Sequence, residues 1–321
     1  KTYKEIKESN DRINKVGDIF EHGQAISPII KKVENRIRGF VQIQNGCDHR
    51  CTFCIIPYGR GDSRSVEPEN VVNQINTLLD QGYKEIVLTG VDLTSYGHDL
   101  ENKPNLATLV SHILFSIPNL KRLRLSSLDV AEIDKNLMDL IKYEKRILPH
   151  IHLSLQAGDN MILKRMKRRH LRDDAISVIN EIRSVRSEVV FGADIIAGFP
   201  TENDEMFQNT VDLIEDCNIT FLHIFPFSPR EGTPAARMPQ VDRYIIKKRA
   251  KILREIGKKK LLEYYDGLKN KKINVIVEDK GRGRSDTFAK VQIDNNLDNG
   301  QIVKMIVTGR NQIGLTGNIV V

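Results

Sequence analysis

The sequence predicts an α/β protein: a partial barrel of six βα units followed by a small all-β barrel. Three observations carry this expectation. Between residues 39 and 225, short apolar runs alternate six times with amphipathic stretches of helix length. Such alternation argues for parallel strands joined by helical crossovers. After Pro239 the pattern changes to a basic helical stretch and then to short alternating runs with glycine-containing turns. Three of the four cysteines, Cys47, Cys51 and Cys54, fall in one loop directly after the first strand-like run.

Taken in order, residues 1–35 are polar and mixed in charge, and read as a linker or the remnant of a preceding domain. Gly39 to Gln44 alternates apolar and polar residues and predicts a strand. Residues 68–81 predict a helix with Val71, Val72, Ile75, Leu78 and Leu79 on one face, ended by Gly82. Glu85 to Gly90 is the second strand. Helices over 105–116, 131–143, 172–186 and 204–216 then precede strands at 121–127, 150–155, 189–197 and 220–225. Six units are too few for a closed eight-unit barrel, so an open one is expected. In such folds the chemistry sits in loops at the carboxyl ends of strands. The cysteine loop, Thr89 to Asp92, Ser126-Ser127, Gln156 and Gly198 to Pro200 all fall there.

Residues 242–265 predict a basic helix with Ile246, Ala250, Leu253 and Ile256 as its apolar stripe. Strands are expected at 273–278, 288–293, 302–308 and 314–321. Lys280 to Ser285 reads as a basic, flexible loop suited to phosphate, with Lys280, Arg282 and Arg284 as its RNA contacts. The expected divisions are 1–35, a core at 36–240, a basic helical connector at 241–266 and the small β domain at 267–321.

Composition narrows the function. The net charge is +7, and residues 240–321 hold 18 Lys+Arg against 9 Asp+Glu. The rest of the chain is slightly acidic, so the excess positive charge lies in the C-terminal quarter. This is either a solvated basic surface or a polyanion-binding appendage, with nucleic acid the favoured polyanion. Four cysteines in 321 residues are not a disulfide framework, which points to a reducing compartment and a cytoplasmic protein. No run of about 18 apolar residues predicts a membrane span. The N-terminus has neither an initiator Met nor a signal-peptide apolar region.

The clustered thiols admit four readings. A structural zinc site needs four ligands, and His49, crowded between Cys47 and Cys51, is the only local candidate for the fourth. A redox pair would leave one cysteine idle, and a purely structural trio is a further option. An iron–sulfur cluster is usually held by four thiolates, so three would leave one iron open to a substrate or cofactor.

Cys-x3-Cys-x2-Cys, with Phe53 just before the last cysteine, resembles the radical S-adenosylmethionine (radical SAM) superfamily. Ile43 to Cys47, Ile55 to Gly61, Ser63 to Ser65, Leu155 to Asp159 and Asp194 to Glu202 are similar to its methylthiotransferase branch. Gly283 to Phe288 resembles that branch's RNA-binding TRAM domain. Val91 to Gly97 and Pro226 to Ala236 are most similar to the MtaB-type subgroup. The resemblance spans about residues 36–321 and implies a radical SAM barrel with a TRAM-like barrel behind it. It implies a 4Fe-4S cluster on Cys47, Cys51 and Cys54, S-adenosyl-L-methionine as cofactor, and Phe53 beside the adenine. The implied reaction places a methylthio group on C2 of N6-threonylcarbamoyladenosine at tRNA position 37.

The expected partners are tRNA and a flavodoxin- or ferredoxin-like electron donor, with no membrane. Members of the branch also carry an N-terminal domain with a second cysteine trio and cluster. This chain has no second trio, so that domain is expected to have been cut away. The alternatives are action on isopentenyladenosine in tRNA, action on a ribosomal protein, or a non-catalytic RNA-binding iron–sulfur protein.

With that cofactor in view, Thr89 and Gly90 are candidates for its amino group, and Ser126 and Ser127 for its ribose. Gln156 and Arg168 are candidates for its carboxylate, and Gly198 for close approach to its adenine. The plainer readings are turn residues for the first four and for Gly198, and a solvated charge run for Arg168. Arg230 is a candidate substrate contact or a surface residue. Asp194, in an apolar strand, is expected to pair with Arg or Lys. His152 and His223 read as lumen-lining or core residues, and Cys217 as core.

Overall fold

The structure, a computed structural model, describes residues 36–279, 281–293 and 297–320. The expected linker at 1–35 and Lys280 lie outside the described residues.

Six parallel strands form the core: β1 (Arg38–Gln42), β2 (Glu85–Thr89), β3, β4 (His150–Gln156), β5 (Val190–Ala197) and β6 (Phe221–Pro226). Strand β3 runs as Leu123–Leu125, breaks at Ser126 and resumes as Ser127–Leu128. Its first part pairs with β2 and its second with β4. Among the described residues β1 and β6 do not pair, so the barrel is open.

The crossover helices are α1 (Pro68–Asp80), α2 (Leu106–Ser116), α3 (Lys135–Tyr143), α4 (Asn160–Arg165), α5 (Arg172–Val185) and α6 (Asp204–Asp216). Their starts are written locally. The side chains of Asn105, Asp134, Asp159 and Asn203 accept backbone N–H groups at the N-termini of α2, α3, α4 and α6. The helix expected at 131–143 is shorter. Asp129 first caps a 3₁₀ turn over Val130–Glu132, and Asp134 then restarts the chain as α3.

Strand alternation decides what the barrel encloses. Ile151, Leu153 and Leu155 of β4 and Phe191, Ala193 and Ile195 of β5 pack outward against the helices in the main apolar core. Their alternates, His150, His152, Ser154, Gly192 and Asp194, therefore face the lumen.

Helix α7 (Arg243–Asp266) packs on β6 and β5, with Ala250 and Leu253 joining the core. A closed barrel follows, made of β7 (Lys272–Asp279), β8 (Arg282–Ser285), β9 (Lys290–Gln292), β10 (Ile302–Arg310) and β11 (Leu315–Val320). Its interior holds Val275, Val277, Val291, Met305, Val307 and Leu315. The flexible loop expected at Lys280 to Ser285 is corrected here, because Arg282–Ser285 is a strand paired with both β7 and β9. Gly283 makes this possible: a Cβ there would lie 2.6 Å from Val275 Cγ1. The glycine reads as flexibility in isolation but serves close packing inside a barrel. The strand expected over 288–293 is correspondingly reduced to β9.

The small barrel caps the amino ends of the core strands. Arg38 at the start of β1 pairs with Glu278 at 2.8 Å. Arg122, just before β3, bridges buried Glu85 and Asp286. Arg124 donates to Glu85 and to the carbonyls of Ser285 and Asp286. The carboxyl ends of the strands, at the opposite mouth, are left for the cysteine loop.

Candidate active site

The cysteine loop is pinned from several sides. Gly46 enters it with φ +77°, and a Cβ there would lie 1.9 Å from the Asp62 carbonyl oxygen. No other residue fits without moving the loop. The Cys47 N–H donates to the Gly61 carbonyl, and the Cys54 N–H to the Cys51 carbonyl. Thr52 donates through its hydroxyl to the Arg165 carbonyl at 2.7 Å, anchoring the loop to α4. Ala235, beyond β6, donates to the Thr52 carbonyl at 2.9 Å.

All three cysteines are half-buried and line one cavity of about 160 Å³. Phe53, Ser127, Gln156 and Arg168 of the expected set line it too. Gln156 holds a left-handed φ of +69° at the end of β4, an uncommon conformation for a residue with a side chain. Arg168 is no solvated residue. It pairs with Asp129 at 3.0 Å, donates to the Ser154 carbonyl at 2.8 Å and reaches within 3.9 Å of Cys51 Sγ. Its buried Nε has no partner.

The remaining candidates lie outside this lining. Thr89 donates its hydroxyl to the Val41 carbonyl, and Gly90 packs against Gln44. Ser126 sits at the break in β3 with its buried hydroxyl unpartnered. Gly198 has φ +73°, but what approaches its α-carbon is Ile246 of α7. Arg282 is exposed and pairs with Asp279, while Arg284 is held by Glu278 at 3.0 Å and lies over the Phe288 ring. Arg230 is exposed, and Cys217 is buried in the core.

Sequence reasoning missed a charged network beneath the loop. His49 Nε2 is 2.5 Å from Asp92 and 3.5 Å from Glu132. Arg169 pairs with Glu132 at 2.8 Å, and Asp129 lies beside Arg168 and His170. Burial opposes charge on His49, yet hydrogen bonds to Asp92 and Glu132 hold its pKa up at about 10. Against the pull of burial, His170 and Arg168 hold Asp129 well below the usual carboxylate range. Asp92 and Asp129 follow the second and third strands, so the strand-end rule that selected Ser126 also reaches them. Burial, with smaller contributions from Asp92 and Cys51, pushes the Cys47 thiol up to about 12. A cation bound among these groups would favour the thiolate.

The donor set fits an iron–sulfur cluster. Three soft sulfur donors share one cavity, and soft thiolates suit such clusters. The unpartnered Arg168 Nε is hydrogen-bonding capacity left for an anionic group.

Residues 41–214 match the family described as the Radical SAM superfamily. The chain belongs to this superfamily. It is 49% identical over 294 residues to the threonylcarbamoyladenosine tRNA methylthiotransferase MtaB of Rickettsia prowazekii, covering 92% of this chain and 70% of that relative. The MtaB of Aquifex aeolicus is 36% identical, over 96% of this chain and 74% of its own. The chain is thus a member of the methylthiotransferase branch. A tRNA-2-methylthio-N(6)-dimethylallyladenosine synthase of Pelagibacter ubique is 32% identical, over 90% and 67%.

Among solved structures, the radical S-adenosylmethionine methyltransferase TsrM of Kitasatospora setae superposes with a TM-score of 0.50 at 19% identity, covering 63% of this chain and 38% of that one. Coproporphyrinogen III oxidase of Escherichia coli gives 0.50 at 14% identity, covering 70% and 53%. These two establish the fold alone. The cofactors of the superfamily are a 4Fe-4S cluster and S-adenosylmethionine. No helix of the described residues is long and apolar enough to cross a membrane.

Proposed function

We propose that this chain is a tRNA methylthiotransferase that places a methylthio group on C2 of N6-threonylcarbamoyladenosine at position 37. Its 49% identity to the Rickettsia MtaB, over nearly its whole length, carries the reading. Cys47, Cys51 and Cys54 hold the cluster, which with S-adenosylmethionine supplies one-electron, hydrogen-abstracting chemistry. Such chemistry suits adenine C2, whose C–H bond is neither acidic nor electrophilic enough for acid–base catalysis.

The chain's own residues bind and orient. Arg168, fixed by Asp129 and the Ser154 carbonyl, lines the cavity and serves the cofactor carboxylate with its guanidinium. Gln156 and Ser127 add polar contacts at the ends of β4 and β3, and Phe53 supplies an aromatic edge. Thr89 and Gly90 serve the cofactor amino group, Ser126 with Ser127 its ribose, and Gly198 its adenine. The His49–Asp92–Glu132–Arg169 network holds the loop against the second and third strand ends. The basic C-terminal quarter grips tRNA, and a flavodoxin- or ferredoxin-like protein delivers the electron.

Anaerobic reconstitution tests the cofactor reading, with about four irons expected per chain. Reductant and S-adenosylmethionine should then release 5′-deoxyadenosine. One equivalent of zinc without iron, or an intact cluster that releases no 5′-deoxyadenosine, would overturn it.

A further inference from the structure

Midway down the lumen, three adjacent strands bring together three donor groups that the cysteine site does not use. His152 of β4, Asp194 of β5 and His223 of β6 all project inward, because Leu153, Ala193, Ile195, Leu222 and Ile224 pack outward. Asp194 and His223 are directly opposite in the β5–β6 register. His152 is instead opposite Gly192, so its ring must lean along β5 to reach Asp194. Gly192 leaves the room: a Cβ there would lie 2.6 Å from His152 Nδ1. Asp194 Oδ1 is then 3.0 Å from His152 Nε2 and 3.3 Å from His223 Nδ1. The three donor atoms lie within 4.8 Å of one another. The Arg or Lys partner expected for Asp194 is corrected to these two histidines.

The spacing has a chemical meaning. Bonds of about 2.0–2.2 Å from one ion to His nitrogen and carboxylate oxygen put neighbouring donors roughly 3–3.5 Å apart. Two edges of such a polyhedron are already present. Two imidazoles and one carboxylate leave coordination positions open. The His223 side chain is 61% exposed, so the open side is reachable from solvent. Ser154, on the same face of β4 as His152 and two residues on, lines the cysteine cavity. At the rise of a strand this places the cluster of donors about 7 Å below that cavity.

We propose that His152, Asp194 and His223 form a divalent transition-metal site, separate from the cysteines, with open positions facing the lumen for an oxygen donor. The ligand class is a divalent first-row ion such as Mn2+, Fe2+ or Zn2+, each of which binds mixed imidazole and carboxylate donors.

The test is a titration of Mn2+ into anaerobically reconstituted protein, following the free ion by its EPR signal, with Zn2+ as competitor. One saturable equivalent is expected, displaced by Zn2+. Asp194→Asn and His223→Ala should each weaken uptake at least tenfold while iron content and cluster absorbance stay unchanged. Gly192→Ala, which crowds the His152 ring without removing a ligand, should weaken it too. Absence of saturable uptake in the wild type, or uptake that survives Asp194→Asn, would overturn the proposal.

Discussion

His150 of the parallel barrel stacks on Phe288 of the small barrel, with ring centroids 4.8 Å apart and planes 23° from parallel. Arg124 and Arg284 also lie against the Phe288 ring, at 5.0 and 4.2 Å from its centroid. One side chain from the C-terminal barrel thus plugs the floor of the lumen. Phe288→Ala should cost about 3 kcal/mol, the lower end for truncating a large aromatic. Chemical denaturation measures it; a loss below about 0.5 kcal/mol, the scatter of neutral surface changes, would contradict the plug.

The same stack predicts a pH dependence. Burial first, and then the charge of Arg124, holds the His150 pKa well below its ordinary value of 6.5. The unfolded chain binds a proton there below about pH 6.5 while the folded chain does not, so stability falls as pH drops through that range. The slope reaches about 1.4 kcal/mol per pH unit for one proton. His150→Phe should flatten the difference in stability between pH 7 and pH 5. An unchanged slope would mean that His150 is protonated in the folded state.

Glu85 is fully buried and serves both Arg122 and Arg124. Glu85→Gln removes the charge that balances two buried guanidinium groups, and about 3–5 kcal/mol of destabilisation is expected. Asp286→Asn, at the more exposed end of the same network, should cost less. Equal losses for the two variants would contradict this ordering.

At the cysteine loop, Gly46→Ala should fold but reconstitute poorly. The added methyl collides with the Asp62 carbonyl, and the loop must shift to relieve it. Iron content well below about four per chain is expected, with the far-ultraviolet circular dichroism of the wild type. Full iron loading would show that the loop tolerates the displacement.

Much of this arrangement is legible in the chain because its signals are local. The cysteine trio lies within one loop, and each βα unit announces itself by its own periodicity. What escaped was long-range. Arg168 is legible as a candidate for a carboxylate, but its anchoring is not, because Asp129 after β3 and the Ser154 carbonyl of β4 are distant in sequence. The packing of Gly198 against Ile246 is not legible because Ile246 lies on α7, far along the chain. Arg282 to Ser285 reads as a loop because glycine's packing use appears only once Gly283 pairs with Val277 and the Val275 side chain packs against it. The partnership of His152, Asp194 and His223 depends on the register of three strands.

The product of the proposed reaction lies on tRNA. Nucleoside mass spectrometry of tRNA from a strain lacking this protein measures it directly. The 2-methylthio form of N6-threonylcarbamoyladenosine should disappear while N6-threonylcarbamoyladenosine itself rises. An unchanged level of the 2-methylthio form, or loss of 2-methylthio groups from isopentenyladenosine instead, would contradict it.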